Sequence, residues 1–562
     1  MSTDSRSLVI DPPPDFPVVW QHPDDAQRHW LFDPMHRPDP MPLLEFSIWD
    51  HALTYGLNAA NEAYGSPIRM AFRRINTYFY SAAIPPPLPS EELGARLAHA
   101  EQQVLAALAG YMERWQAEWE PELRRYVDDW RAFDLGAATL PQLIAHADET
   151  LARIARAWEI HFLVAMPMTL AMSQFQDTYQ GLFGAERALG AYQLLQGLDN
   201  KSLAAGRGLW RLSQLALAQP PVHAIFETHA DHEVLAALER EPAAQPFLAE
   251  LRAYLDEFGG RAERWDEISA PSWIEDPTPA IGNIRAYMAQ PLRDDAAEHA
   301  RLAVERERRL AEVRAALRGY PQPVVDQFEL ELRAAQAGSV LQEDHNYWID
   351  QRCMYEVRRV TQELGQRFAA AGAIERADDV IHLTAAEMRE TAGRLAEANH
   401  VALVAERQAE IERFRAVRPP PALGTRPPGP PPEGAMSRAG ARFWGGPPPE
   451  QTEPDVLRGN PGSPGTARGV ARVLHSLSEM SRLGAGEILV TASTAPPWTP
   501  LFATAAAVVT DTGGVLSHCA VVAREYHIPA VVGVGTATTQ IRDGMLLEVD
   551  GDAGTVRIIA DL

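Results

Sequence analysis

The sequence predicts a multidomain chain, with a large, mainly α-helical N-terminal domain followed by a small C-terminal α/β domain. Three observations carry this expectation. Apolar residues recur at helical spacing over much of residues 90–371, a Pro/Gly-rich stretch interrupts the pattern at 418–454, and short β-rich runs with glycine turns follow it. The implied boundaries are a mainly helical domain at 1–417, a linker at 418–454 and a C-terminal domain at 455–562.

Composition narrows the function classes. A formal net charge of -24, with no concentrated Lys/Arg stripe, argues against nucleic acid and against an anionic membrane surface as partners. The two cysteines, Cys353 and Cys519, are far apart and lack metal-ligand spacing, so neither a disulfide framework nor a metal site is expected. There is no basic leader with an apolar core and no uninterrupted apolar run of about 18 residues, which together point to a cytoplasmic protein.

Residues 15–50 are rich in Trp, His, Asp and Pro, and the prolines argue for an irregular segment laid over a larger body. No His/Asp pair there has clean helical ligand spacing, so their polar groups are read as loop hydrogen-bonding groups. Pro89-Ser90-Glu91-Glu92 is a helix start, and Leu93, Leu97, Val104, Leu108, Tyr111 and Trp115 then mark one face. Leu151, Ile154, Trp158, Phe162 and Ala165 repeat the device, and Phe162 to Met172 is apolar around most of its circumference, as in a helix buried within a bundle. Its methionines suit a core, or a pocket for a flat apolar ligand. Further helical patterns cover 233–258, 294–317 and 322–371, and residues 1–415 contain neither a Rossmann fingerprint nor a Walker A sequence.

Within the last helical pattern, Leu341 to Arg352 mixes acids, His345, Arg352 and two aromatics. Such a run is either a solvated salt-bridged face or the wall of a cleft; in a cleft, His345 is the candidate general base and Arg352 a candidate phosphate ligand. The 418–454 stretch contains Pro419-Pro420-Pro421 and Gly445-Gly446-Pro447, with few core-forming residues apart from Phe443 and Trp444. It reads as a tether, or as a segment packed down between two fixed domains. Beyond it, β-rich runs at 469–475, 487–491, 505–510, 530–534, 546–549 and 555–559 alternate with helix-compatible pieces at 498–502 and 515–526.

The chemistry concentrates at Thr510 to Gly533. A β-run enters the turn Gly513-Gly514, and a helix opens near Ser517 and His518. A histidine at a helix N-terminus beside a glycine turn is a nucleophile in an anion cradle, because free backbone N–H groups and the helix dipole converge there.

Residues 455–562 resemble the mobile phosphohistidine domain of the phosphoenolpyruvate-utilising enzymes. The resemblance rests on Gly462 to Gly469, Thr494 with Pro500 and Leu501, Thr510 to Gly514, Ser517-His518, Val522-Ala523-Arg524, Ile528 to Val531, Asp543-Gly544 and Asp550-Gly551. It implies that His518 is phosphorylated on a ring nitrogen and passes the group on; Thr512, Gly513, Gly514, Ser517 and Arg524 are the local candidates to hold the phosphoryl oxygens, Arg524 being alternatively a helix-surface ion-pair residue. It further implies a dikinase-type phosphotransferase in which the β-phosphoryl group of ATP is used. No ATP-grasp pattern is evident in 1–415, so the expected layout resembles the histidine-bearing subunit of phenylphosphate synthase and, more distantly, rifampicin phosphotransferase. On that layout a separate ATP-grasp subunit holds ATP with Mg²⁺ or Mn²⁺ and loads His518, which then phosphorylates a phenolic or other aromatic acceptor. The alternatives are a non-phenolic hydroxyl, as on an antibiotic or polyol, and a phosphocarrier with no small-molecule acceptor.

Overall fold

The computed structural model describes residues 8–184, 190–262, 268–289, 295–428, 434–446, 450–451, 453 and 455–560. Its helical part is organised on one 44-residue helix, Leu140–Phe183. Thr139 and Gln142 cap its start: the Gln142 side-chain oxygen accepts from the Thr139 backbone N–H at 2.8 Å, satisfying a donor that the first turn leaves open. At 1.5 Å per residue this helix is ~66 Å long, and it is apolar on several sides because helices pack on several sides. Leu43–Ala63 and Gln322–Asn346 both lie along it. The first approaches so closely at Gly56 that an added Cβ would stand 2.6 Å from the Trp158 carbonyl carbon.

Residues 15–50 are less irregular than expected. They contain a strand at His29–Phe32, and Leu43–Ala63 starts directly after Pro42, where a missing N–H costs nothing. Glu241-Pro242 ends the helix Asp231–Arg240 and a second helix, Gln245–Phe258, follows. Gln322–Asn346 continues through one wide turn, Tyr347–Cys353, into Met354–Ala370. No described helix is long and apolar enough to cross a membrane.

The N-terminal part also carries an antiparallel sheet of five strands, β1 (Leu8–Ile10), β2 (His29–Phe32), β3 (Arg69–Ile75), β4 (Tyr78–Ile84) and β5 (Ala422–Arg426), in the order β1-β5-β2-β4-β3. Asn76 and Thr77, at φ 47° and 72°, form the two-residue hairpin turn between β3 and β4. Alternation along β4 turns Phe79 towards the helices and Tyr78 and Tyr80 towards a second core with Phe16, Trp30 and Leu423.

Strand β5 lies inside the Pro/Gly-rich 418–454 segment, and so does a helix, Ala435–Trp444. The described part of that segment is therefore packed down, not a free tether. Ladder hydrogen bonds to β1 and β2 hold one half. The other half is held by the Arg442 guanidinium, which donates to the Ser173 carbonyl at 2.6 Å and pairs with Asp177.

The C-terminal domain is an eight-stranded mixed sheet. Its strands are β6 (Val456–Arg458), β7 (Asn460–Ser463), β8 (Thr466–Val473), β9 (Ile488–Thr491), β10 (Ala507–Thr510), β11 (Ala530–Val532), β12 (Leu546–Asp550) and β13 (Thr555–Ala560). The large helical region joined to a small α/β domain is the fold class the sequence predicts. Strands β8, β9, β10 and β11 run parallel, so the turn after β10 and the helix His518–Glu525 stand at the carboxyl end of a parallel sheet, where ligands of α/β folds bind.

Candidate active site

Gly513, at φ 108°, turns the chain out of β10 in a conformation that favours glycine. Ser517 remains extended and His518 is the first helical residue. The first bond within the helix is Val521 N–H to Ser517 O, at 3.0 Å. The amides of His518, Cys519 and Ala520 precede it and give this end its anion preference. The Ser517 hydroxyl is buried beside them without a hydrogen-bond partner.

The His518 ring does not face solvent. Its Nδ1 lies 3.2 Å from Oε1 of Glu343, on Gln322–Asn346 of the helical domain, and each side chain is 1% exposed. Glu343 Oε2 accepts from the Ser202 hydroxyl at 2.5 Å. Burial alone would raise the Glu343 pKa, but His518 and the Ser202 hydroxyl together hold it below the usual carboxylate range. An ionised Glu343 can only accept, so Nδ1 carries the proton and Nε2 keeps its lone pair. Nε2 is then the ring nitrogen available to act as a nucleophile, 3.5 Å from the Thr499 hydroxyl.

The other cradle residues are placed as follows. Thr512 donates its hydroxyl to the Ala492 carbonyl at 3.1 Å. The Gly514 and Leu516 amides donate to the Phe443 and Arg442 carbonyls, at 3.0 and 2.9 Å, so in this arrangement the C-terminal end of helix Ala435–Trp444 occupies two turn amides. Arg524 is six residues beyond His518, about 240° around a helix from it. Its guanidinium accordingly turns away, donating to the Val515 carbonyl at 2.5 Å and lying 3.6 Å from the centre of the Tyr192 ring. Burial pushes its pKa down to about 10. Burial also pushes the Cys519 thiol up to about 12, consistent with a small packed hydrophobe.

A cavity of about 410 Å³ lies on the other side of the same helix. Trp49, Phe72, Phe79, Trp158, Phe162 and Phe443 give it an aromatic wall, and Gln342, His345, Asn346, Asp350 and His161 form its polar end. In a regular helix Asp350 would stand ~80° around from Gln342; the wide turn Tyr347–Cys353 reduces that rotation and brings Asp350 into the lining. His345 Nδ1 is 2.5 Å from the Leu341 carbonyl, and burial, then the neighbouring His161, pushes its pKa down to about 4. Arg352 is not among the lining residues; its guanidinium donates to the Glu257 carbonyl and the Tyr347 hydroxyl, both at 2.9 Å.

The structure therefore brings together residues that sequence reasoning did not join. Glu343 is in the mixed-charge run, but nothing local names His518 as its partner. His161 is visible only as a lone polar residue between Ile160 and Phe162. The helix Ala435–Trp444 has one signal, the aromatic pair Phe443-Trp444 in a proline-rich stretch.

Two stretches of the chain match families of known proteins. Residues 483–554 match the mobile domain of PEP-utilising enzymes, and residues 161–343 match the fourth domain of rifampicin phosphotransferase. Chondramide synthase cmdD of Chondromyces crocatus is 41% identical over 97% of this chain and 14% of its own length. The uncharacterized phosphotransferase YvkC of Bacillus subtilis is 30% identical over 72% of this chain and 47% of its own length. A rifampicin phosphotransferase of Streptomyces sviceus is 30% identical over 65% of this chain and 41% of its own length. The chain thus spans less than half the length of each of these relatives.

Proposed function

Because the chain belongs to the phosphoenolpyruvate-utilising enzyme family, we propose that it is a phosphotransferase in which His518 carries a phosphoryl group to a hydroxyl bound in the aromatic cavity. One observation carries this reading. A single helical turn presents Glu343 to His518 and Gln342, His345 and Asn346 to the cavity. In the first step the Nε2 lone pair forms a P–N bond as the donor's P–O bond breaks. In the second the acceptor oxygen attacks phosphorus, the P–N electron pair returns to Nε2, and the acceptor's proton is released at the polar end of the cavity. His345 alone is a weak base for that proton, since its ring is neutral down to acidic pH. Activation falls to His161, His345 and Asp350 together.

The donor on this reading is ATP with Mg²⁺ or Mn²⁺, held by an ATP-grasp module outside these residues, on a partner subunit or elsewhere in a longer protein. The matched stretches of YvkC and of the rifampicin phosphotransferase leave more than half of each relative for such a module. A cavity of about 410 Å³ suits a compact aromatic acceptor such as a phenol, and a phosphocarrier would need no such cavity. A larger, non-phenolic acceptor is the second reading, favoured by relatives named for rifampicin. The test is phosphoryl labelling with ATP, Mg²⁺ and an ATP-grasp partner. Acid-labile label on His518 that chases onto a phenol supports the proposal. Label that survives His518→Ala overturns it, and transfer only to aliphatic alcohols selects the second reading.

A further inference from the structure

We propose that His161, His345 and Asp350 form a binding site for one divalent transition-metal ion at the polar end of the cavity. Each residue offers a ligand atom, and these atoms all lie within 4.8 Å of one another. Donors around one ion at 2.0–2.2 Å stand about 3.4 Å apart, so small side-chain rotations close the shell. His161 Nδ1 and Asp350 Oδ2 are already 3.5 Å apart.

The surroundings are those of a ligating set. His345 Nδ1–H donates to the Leu341 carbonyl, which leaves Nε2 as the coordinating atom; a ring N–H held by a backbone carbonyl is the usual support for a metal-bound histidine. His161 is stacked on Trp158, with ring centres 4.4 Å apart, which fixes its plane. A separate observation also points to a ligand. Gln342 is 2% exposed and lines the same cavity, yet both its amide nitrogen and its oxygen lack hydrogen-bond partners. A buried carboxamide in that state costs free energy unless something polar occupies the space beside it. A coordinated water or ligand oxygen would satisfy it.

Two imidazoles and one carboxylate select zinc-, cobalt-, iron- or manganese-class ions over the all-oxygen preference of Mg²⁺ and Ca²⁺. The three ligands come from the middle of Leu140–Phe183, the end of Gln322–Asn346 and the wide turn after it. His345 and Asp350 are five residues apart, but the third ligand, His161, is far from both in sequence, so the set is not legible from spacing alone. Three protein ligands leave positions open towards the cavity, where a hydroxyl oxygen could bind and lose its proton more readily. That role rests on the phosphoryl-transfer reading, whereas the binding itself does not.

The full chain, stripped with a chelator, would be titrated with Co²⁺ and followed by its visible d–d absorption, with metal content checked by elemental analysis after Zn²⁺ loading. About one equivalent is expected, with affinity falling at least ~10-fold in His345→Gln and in Asp350→Asn and unchanged in His518→Ala. Circular dichroism and metal-induced shifts in melting temperature on each variant separate loss of ligands from loss of fold. A chain that takes up no ion, or whose His161→Asn, His345→Gln double variant binds as tightly as the parent, overturns the site. Binding by a parent chain that, with His518 intact and a phosphoryl donor supplied, passes no phosphate from His518 would overturn the proposed function and leave the metal site standing.

Discussion

Nδ1 of His518 lies 3.2 Å from Oε1 of Glu343, a hydrogen-bond contact between two buried side chains far apart in the chain. On the proposed function the contact decides which ring nitrogen attacks phosphorus, and it makes the docked position of the histidine sensitive to one carboxylate. Hydrogen bonds to charged groups contribute ~1.5–3 kcal/mol. Glu343→Gln is therefore expected to slow phosphoryl transfer through His518 by about 10- to 100-fold. Ser202→Ala, which removes only the hydroxyl donating to Glu343, should cost less. Single-turnover labelling and discharge rates check both, and a Glu343→Gln variant with unchanged rates would show that the tautomer is set elsewhere.

The second glycine of the turn serves contact with helix Ala435–Trp444. A Cβ on Gly514 would stand 2.1 Å from the Arg442 carbonyl oxygen and 2.9 Å from the Gly445 nitrogen. Gly514→Ala is expected to push that helix off the turn, at a cost of about 1–3 kcal/mol typical of overpacking. Hydrogen exchange at the Gly514 and Leu516 amides, both donors to this helix, should accelerate. Unchanged protection there would mean that the helix follows the turn as it moves.

These relationships show where the sequence was informative. The long helices are legible because 3.6-residue periodicity is local, and the His518 helix is legible because strand, glycine turn and helix start follow one another directly. Strand β5 is not, because its partners on β1 and β2 lie roughly 400 residues away and its own composition is that of a linker. Glu343 is recognisable as an unusual acid on a partly apolar helix, yet its partner is 175 residues distant in another domain. The cavity's polar end needs two helices to cross and a wide turn to shift register, and neither event leaves a pattern in one segment.

Acceptor binding and histidine loading should be separable at Gly440. It lines the cavity from helix Ala435–Trp444, and an added Cβ there would meet only Trp444 Cδ1, at 4.0 Å. Gly440→Leu has room at the backbone and fills cavity space with its branched end, while also favouring the helix by up to ~1 kcal/mol. The expected result is an acceptor KM raised by roughly 10-fold or more, with labelling of His518 within about twofold of the parent. Acceptor kinetics that do not change would place the acceptor outside this cavity.

Domain docking should also depend on pH through Glu525. Its Oε2 accepts from the Gly197 amide at 3.1 Å, and its carboxyl is pushed from 4.5 up to about 7. The causes, in order, are burial, which the Gly197 hydrogen bond and Arg306 oppose, then Glu343, and finally Arg524, which also opposes the rise. A docked acid with a raised pKa binds more protons than the undocked one between pH 4.5 and 7. Docking is accordingly favoured below that window, weakens as pH rises through it and is level above it. The full interval corresponds to ~3 kcal/mol at ~1.4 kcal/mol per pH step, an upper value because solvent screens this partly exposed side chain. Glu525→Gln should abolish the dependence and hold the domains together more firmly than the parent at pH above 7. Exchange protection of the Gly197 amide, corrected for the intrinsic pH effect, reads the docked fraction directly. Equal pH dependence in parent and variant would assign it to another group.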